Sequence, residues 1–214
     1  MYKMGYLIPN SFPDLKYSIF TGEALPKELS DAWQIAAPNS LIENGYGPTE
    51  ATVNISKFIY KKEYKNRNFK NNILPIGKIF GKNSYCIVDE NLNKVKEGQK
   101  GHLLIKGEQI ALGYINDQHK TNIAFKKMLW DKTDEIWYLT GDLAFVNESN
   151  EIEYLGRIDD QIKIAGRRVE VGEIEGAILK SNLIKDIVIV PKKDLDGSVK
   201  NLIGFTTSQI SEEQ

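Results

Sequence analysis

Between Asn44 and Val53 the chain reads NGYGPTEATV, two glycines and a proline around a tyrosine, followed at once by a hydroxyl and a carboxylate. Glycine admits φ > 0 and proline removes a backbone donor, so this backbone is expected to turn sharply or pass close to something, breaking any helix or central strand. The Thr49 hydroxyl can donate to a phosphate oxygen. The Glu50 carboxylate can hold Mg²⁺, which prefers hard oxygen ligands and nucleotide phosphates. Taken alone, the stretch reads as an ordinary polar turn.

Charged groups beside glycine recur downstream. YLTGDLA puts Asp142 after Thr140-Gly141, where a carboxylate can accept two hydrogen bonds from a ribose diol. Further on, EYLGRIDDQIKIAGRR supplies the aromatic face of Tyr154 and the planar fork of Arg157, which reaches a sugar hydroxyl or a phosphate. A surface salt bridge from Arg157 to Asp159 or Asp160 is the plainer alternative. GKIFGKNS, residues 77–84, is one residue short of a P-loop and has Asn83 where a Ser or Thr must follow the lysine. There is no Gly-x-Gly-x-x-Gly after a strand, no His-Glu-x-x-His and no cysteine cluster. His102 and His119 lie far along the chain from the glycine motifs, so metal hydrolysis and Ser/His chemistry have no support.

The elements that must position these groups read as α/β. LKYSIFTGEALPKELSDAW is a strand, a glycine turn and a helix with Pro26 in its first turn, where the missing N–H does no harm. Residues 60–72 are polar and mostly basic, expected as a solvated loop without an aromatic platform. SYCIVD and HLLIKG read as strands, LAFVNESNEIEYLG as a hairpin around Glu148 to Asn150, and the whole middle portion as a β-rich subdomain. VEVGEIEGAILKSN is a helix with acidic residues in its first turn and a stripe of Ile174, Ala177 and Ile178; IKDIVIV and LIGFTT are buried-type strands.

Bulk properties bound the partners. With 41% hydrophobic residues in 214 a sizeable core is expected, and 28 basic against 29 acidic residues leave no field that favours nucleic acid or an anionic membrane. The single Cys86 sits in an apolar run and reads as a core residue; nothing requires an oxidising compartment. No apolar run approaches a membrane span, so a cytoplasmic location is the expectation.

The ordered set FTGEALP, NGYGPTEATV, ALGYIN, YLTGDLA and GRIDDQIKIAGRRVEVGEIEGAI resembles the adenylation domains of the adenylate-forming (AMP-binding) superfamily, of the nonribosomal peptide synthetase and D-alanine:carrier-protein ligase type. The resemblance runs from about residue 15 to about residue 205. It implies a ligase that joins a carboxylic substrate, here an amino acid, to ATP with release of pyrophosphate, then passes the acyl group to the phosphopantetheine thiol of a carrier protein. Acyl- or aryl-CoA ligases, and a noncatalytic half-domain that docks a carrier or partner chain, are the alternatives.

By this resemblance Tyr46 lies against adenine beside Gly47, with Gly22 and Glu23 bordering that pocket. Thr49 contacts the adenylate phosphate, Glu50 holds Mg²⁺, and Asp142 takes the ribose hydroxyls with Tyr154 and Arg157. Ile19, Thr21, Gly45, Val53 and Asn54 line the substrate pocket, whose polar and small residues suit a small or polar amino acid. Asp159 is the hinge, and Lys163 with Gly166 faces the incoming thiol.

The implied fold is mixed α/β: residues 1–158 are the C-terminal part of the large lobe with its β-rich subdomain, and 159–214 the start of a small α/β lid. The phosphate loop of relatives is expected before Met1, on an upstream chain or segment, and their C-terminal lysine beyond Gln214. One lost donor to transition-state charge costs about 2.7–4 kcal/mol, so this chain alone is expected to be incompetent in adenylation.

Overall fold

The computed structural model describes residues 5, 7–158, 161–164, 167–181, 184–193 and 199–206. In the first sheet, β1 (Tyr17–Phe20) passes through α1 (Lys27–Ala36) to β2 (Leu41–Tyr46), and this crossover leaves the two strands parallel, Tyr17 opposite Leu41 and Phe20 opposite Asn44. Pro26 is the extended N-cap of α1, one position earlier than expected and still where an absent N–H is harmless. β3 (Ser56–Tyr60) and β4 (Lys78–Ile79) continue the sheet antiparallel in the order β1-β2-β3-β4. Ile42, Phe58 and Tyr60 pack with Leu25 and Leu74 into a core under α1, where Trp33 lies against Phe20. The alternate residues face the other way. There Ile19 is 58% exposed and Tyr17 half-exposed.

Residues 60–72 are mostly exposed, as their charge pattern predicts, but they are anchored. Phe69 is buried, Tyr64 stacks on Phe58, and the Arg67 guanidinium lies 5.0 Å and 4.9 Å over the Tyr64 and Phe69 rings while pairing with Glu151 at 2.7 Å. The polar composition conceals three well-spaced aromatic and basic anchors, and these tie the segment down.

The second sheet comprises β5 (Ser84–Val88), β6 (Gly101–Lys106), β7 (Phe125–Lys127), which follows the short α2 (Gln118–Ala124), β8 (Ile136–Val146) and β9 (Ile152–Arg157). Its order is β5-β6-β8-β7 with β9 also on β8, antiparallel throughout. The expected β8–β9 hairpin is present: the Asn147 side-chain oxygen accepts from the N–H groups of Ser149 and Glu151, and Asn150 takes the left-handed conformation. Leu103, Ile105, Tyr138 and Ile152 form its core with Ala51 and Ile55 from the first sheet's connection. Gly77 and Ile152 exchange backbone hydrogen bonds of 3.2 and 2.8 Å, joining the sheets. A Cβ on Gly77 would stand 2.0 Å from the Lys57 carbonyl oxygen. Cys86 is half-buried, packs beside Val88 and Leu104, and burial pushes its thiol up.

Two glycine stretches behave differently from expectation. β2 runs through Gly45 and Tyr46 as a central strand, and YLTGDLA lies wholly inside the 11-residue β8. Gly141 adopts φ +76° and the β8–β9 register slips between Leu143 and Ala144, so this glycine kinks a strand instead of ending one.

The chain divides into two compact units, Met1–Ile158 and Asp159–Gln214. The second contains the hairpin β10 (Gln161–Ile164) and β11 (Arg167–Glu170), α3 (Val171–Leu179), and the antiparallel pair β12 (Ile187–Lys193) and β13 (Val199–Thr206). Glu175 on α3 accepts the Ile189 N–H at 2.8 Å, fastening the helix to β12. The architecture is mixed α/β, rich in strands with few helices, and no described helix is long and apolar enough to cross a membrane.

Candidate functional site

Three of the expected residues, far apart in the chain, meet at the Asp142 carboxylate. Asp142 is buried on β8; its Oδ2 accepts from the Tyr46 hydroxyl at the end of β2, and its Oδ1 pairs with Arg157 Nη1 at 3.0 Å. Arg157 stands directly opposite Asp142 on β9, so strand register sets this pair. The same Nη1 donates to the Thr140 carbonyl at 3.0 Å, and the Thr140 hydroxyl accepts the Asp142 N–H at 3.0 Å while donating to the Leu103 carbonyl at 2.8 Å. Burial, with the Asp142 charge beside it, pushes the Tyr46 phenol well above its ordinary range, so it remains a donor. Tyr154 and Tyr46 both pack against the second core.

The segment after Tyr46 folds back on itself. Ile55 N–H returns to the Tyr46 carbonyl at 2.8 Å, and a Cβ on Gly47 would meet the Val53 carbonyl oxygen at 2.7 Å, which explains the glycine. A 3₁₀ turn, Thr49–Ala51, leaves Thr49 exposed and Glu50 buried. Thr52 and Val53 have φ of +56° and +71°, unusual for β-branched residues and therefore held strain. The ALGYIN segment supports this turn: Tyr114 donates to Glu50 Oε1 at 2.6 Å and the Ala111 N–H to the Glu50 carbonyl at 2.8 Å.

The residues expected to line a substrate pocket divide into two places. The Asn54 amide lies over Gly45, where a Cβ would stand 2.8 Å from it. Ile19 and Thr21 are exposed at the end of β1, Gly22 turns with φ +96°, Glu23 is exposed, and Val53 is exposed on the strained turn. In the second unit Lys163 stands opposite Arg168 in the backbone register of β10 and β11. Asp159 and Gly166 lie outside the described residues. Reading residue types alone missed Thr140 and Tyr114 as supports, although both lie in stretches whose pattern was recognised. It also missed Glu43, buried on β2 and held by the Tyr17 hydroxyl.

A charged Asp142 between two donors suits a ligand with hydroxyl groups, which exchange for protein donors at a carboxylate. Glu50 is a single carboxylate, and among the described residues no cluster of three His, Cys, Asp or Glu side chains could enclose a metal. A cation there would take much of its coordination from ligand oxygens, as Mg²⁺ does from nucleotide phosphates.

Comparisons with known proteins agree in direction. Residues 5–115 match the family model described as AMP-binding enzyme. A plipastatin synthase of Bacillus subtilis is 35% identical over 86% of this chain, which spans 7% of that protein. D-alanine–D-alanyl carrier protein ligase of Lacticaseibacillus casei is 31% identical over 94% of the chain and 38% of the ligase. Among solved structures, the Vibrio cholerae adenylation domain AlmE, in complex with glycyl-adenosine-5'-phosphate, superposes with a TM-score of 0.87 at 30% identity, covering 98% of this chain and 39% of that one. The chain therefore spans well under half the length of these relatives. With the matched segment covering just over half of its residues, the chain belongs to the AMP-binding enzyme family.

Proposed function

We propose that this chain carries the adenosine-handling surface of an ATP-dependent ligase that activates an amino acid. The observation that carries this reading is the convergence of Tyr46, Asp142 and Arg157 on one buried carboxylate. In this reading a substrate carboxylate oxygen attacks the α-phosphorus of ATP, pyrophosphate leaves, and the acyl-adenylate then gives its acyl group to the phosphopantetheine thiol of a carrier protein, releasing AMP.

Asp142 accepts the ribose hydroxyls and Arg157 holds the carboxylate in place from the opposite strand. Tyr46 presents its ring to adenine, with Gly22 and Glu23 at the border and Tyr154 behind. Gly47 lets backbone approach the nucleotide, and Thr49 offers an exposed hydroxyl to the phosphate. Glu50, oriented by Tyr114, would hold Mg²⁺, which supplies charge neutralisation at the phosphates. Ile19, Thr21, Gly45, Val53 and Asn54 line the substrate side. Asp159 acts as hinge, and Lys163 with Gly166 meets the thiol after the second unit turns. The AlmE ligand, an aminoacyl-adenylate, supports the amino-acid branch.

ATP–pyrophosphate exchange by the intact protein that contains this chain tests the reading. Exchange that depends on an amino acid and is lost in Asp142→Ala is the expected result. Exchange indifferent to Asp142→Ala would refute the assignment. Offering coenzyme A and a phosphopantetheinylated carrier in parallel identifies the acceptor, with the carrier expected.

A further inference from the structure

The strained pair Thr52-Val53 is held from outside its own turn. Thr52 N–H donates to the Thr49 carbonyl at 3.1 Å and Val53 N–H to the Pro48 carbonyl at 3.3 Å, so these two left-handed residues close the turn that presents Thr49. Such a conformation persists in β-branched residues only where surrounding contacts fix it. Gln109, in the connection that leaves β6, supplies two of those contacts. Its backbone carbonyl accepts from the Thr52 hydroxyl at 3.0 Å, and its side-chain Nε2 donates to the Asn54 carbonyl at 3.1 Å. Val53 lies between the two anchored residues.

A second, independent observation fixes the Gln109 amide itself. Its Oε1 accepts from Asn83 Nδ2 at 2.6 Å, and the same Nδ2 donates to the Phe80 carbonyl at 2.9 Å. This relay starts and ends on backbone carbonyls, which only accept, so neither amide can turn over without setting oxygen against oxygen. Gly107 makes room for it: a Cβ there would stand 2.3 Å from Asn83 Oδ1. Phe80 N–H donates in turn to the Ile55 carbonyl at 3.2 Å, which ties the far end of the relay to the residue after Asn54. Among the described residues, Gln109 bonds to the turn and the relay and not to Tyr46, Asp142 or Arg157.

We infer that Gln109 is a positioning residue for adenylation: it holds Thr52 and Val53 in their left-handed conformation and so sets where the Thr49 hydroxyl meets the phosphate, an inference that rests on the adenylating role proposed above. In that reading Tyr46 and Asp142 hold the nucleoside separately. Loss of the Gln109 amide is therefore felt at the phosphate and not at adenosine.

The test is ATP–pyrophosphate exchange by the intact protein that contains this chain, with the twenty standard amino acids and D-alanine, in wild type, Gln109→Glu and Gln109→Met. Adenosine serves as a competitor of ATP in the same assay, and urea unfolding gives the folded fraction. Glutamate keeps the acceptor for Asn83 and loses the donor to Asn54; methionine loses both. The saturating rate per folded protein is expected to be lower by about tenfold in both variants, less than the roughly hundredfold of a transition-state donor lost outright, with the adenosine inhibition constant within about twofold of wild type. Thr52→Gly takes φ > 0 without strain, and added to either variant it is expected to restore the rate by about threefold. A wild-type rate in the variants, a fall only in step with the folded fraction, an adenosine constant that moves with the rate, or no recovery with Thr52→Gly overturns the inference and leaves adenylation standing. Wild-type exchange with none of the amino acids refutes the proposed function and this inference together. If Gln109→Met does not fold, the near-isosteric Gln109→Glu decides by the same comparison.

Discussion

Two carboxylates, Asp142 on β8 and Asp131 in the connection from β7 to β8, have nearly the same chemical company and different construction. Asp142 lies between an aromatic hydroxyl and a guanidinium that come from positions 46 and 157. Asp131 lies between the Trp137 indole N–H, at 2.6 Å, and the Lys106 ammonium, at 2.8 Å, and also takes the backbone and side chain of Thr133 at 3.0 and 2.8 Å. Lys106 itself sits 5.0 Å over the Trp137 ring, above a core of Val88, Leu104 and Met128. Of the three residues that donate to Asp131, Thr133 and Trp137 follow within 6 residues of it and only Lys106 comes from a distant strand, so the cluster serves as a clasp. Asp142 takes its side-chain donors from 96 and 15 residues away along the chain, and in the proposed reading an incoming ligand replaces them. In that reading the sequence separation of the donors, more than their chemistry, sets the site apart from the clasp.

The largest effect should come from Asp142→Ala. It leaves the largely covered Arg157 guanidinium without that carboxylate, and removing one member of a buried pair costs about 3–5 kcal/mol, an upper bound here. Urea unfolding of the intact protein should show that loss, and calorimetry should show adenosine nucleotide binding abolished. Asp131→Ala should lower the melting temperature and leave nucleotide affinity unaltered. Equal effects on binding would erase the contrast.

Tyr46→Phe sharpens it further. Deleting a hydroxyl that donates to a charged acceptor should cost about 1.5–3 kcal/mol, and the ring, which faces adenine in the proposed reading, remains. Nucleotide binding should therefore weaken less than in Asp142→Ala. Gly47→Ala tests the turn: its Cβ would stand 2.7 Å from the Val53 carbonyl oxygen, and overpacking of that kind costs about 1–3 kcal/mol.

The smallest effect is the acid limb of stability. Hydrogen bonding from Lys106 holds the Asp131 carboxyl well below the usual carboxylate range. A depressed carboxyl contributes stability that is fully present above its unfolded value, about 3.9, and is lost as pH falls through the folded value. Urea midpoints taken between about pH 6 and about pH 3 should fall less steeply in Asp131→Asn than in wild type.

Local composition was enough to find the elements themselves. The β8–β9 hairpin, α1 after its proline and α3 with its acidic first turn could be read because turn residues, caps and apolar spacing act within a few residues. The same local rules misread Gly45 and Gly141 and missed the anchors within residues 60–72. Gly45 is tolerated in a central strand because the Asn54 amide fills its missing side chain, and Gly141 kinks a strand that β6 and β9 hold on both sides. The aromatic anchors of residues 60–72 find their partners in β3 and at Glu151.

The family and its motif residues were determined by the sequence by itself, since five ordered motifs need no geometry to be recognised. Only the tertiary structure decided that the Asp142 carboxylate is shared by Tyr46 and Arg157, that Tyr114 orients Glu50, and that the Asn54 amide lies over Gly45. Each of these depends on strand register and on loops closing across long separations, and a hydrogen bond reaches only about 3 Å. Residue order along a chain does not specify distances of that size until the sheets have formed.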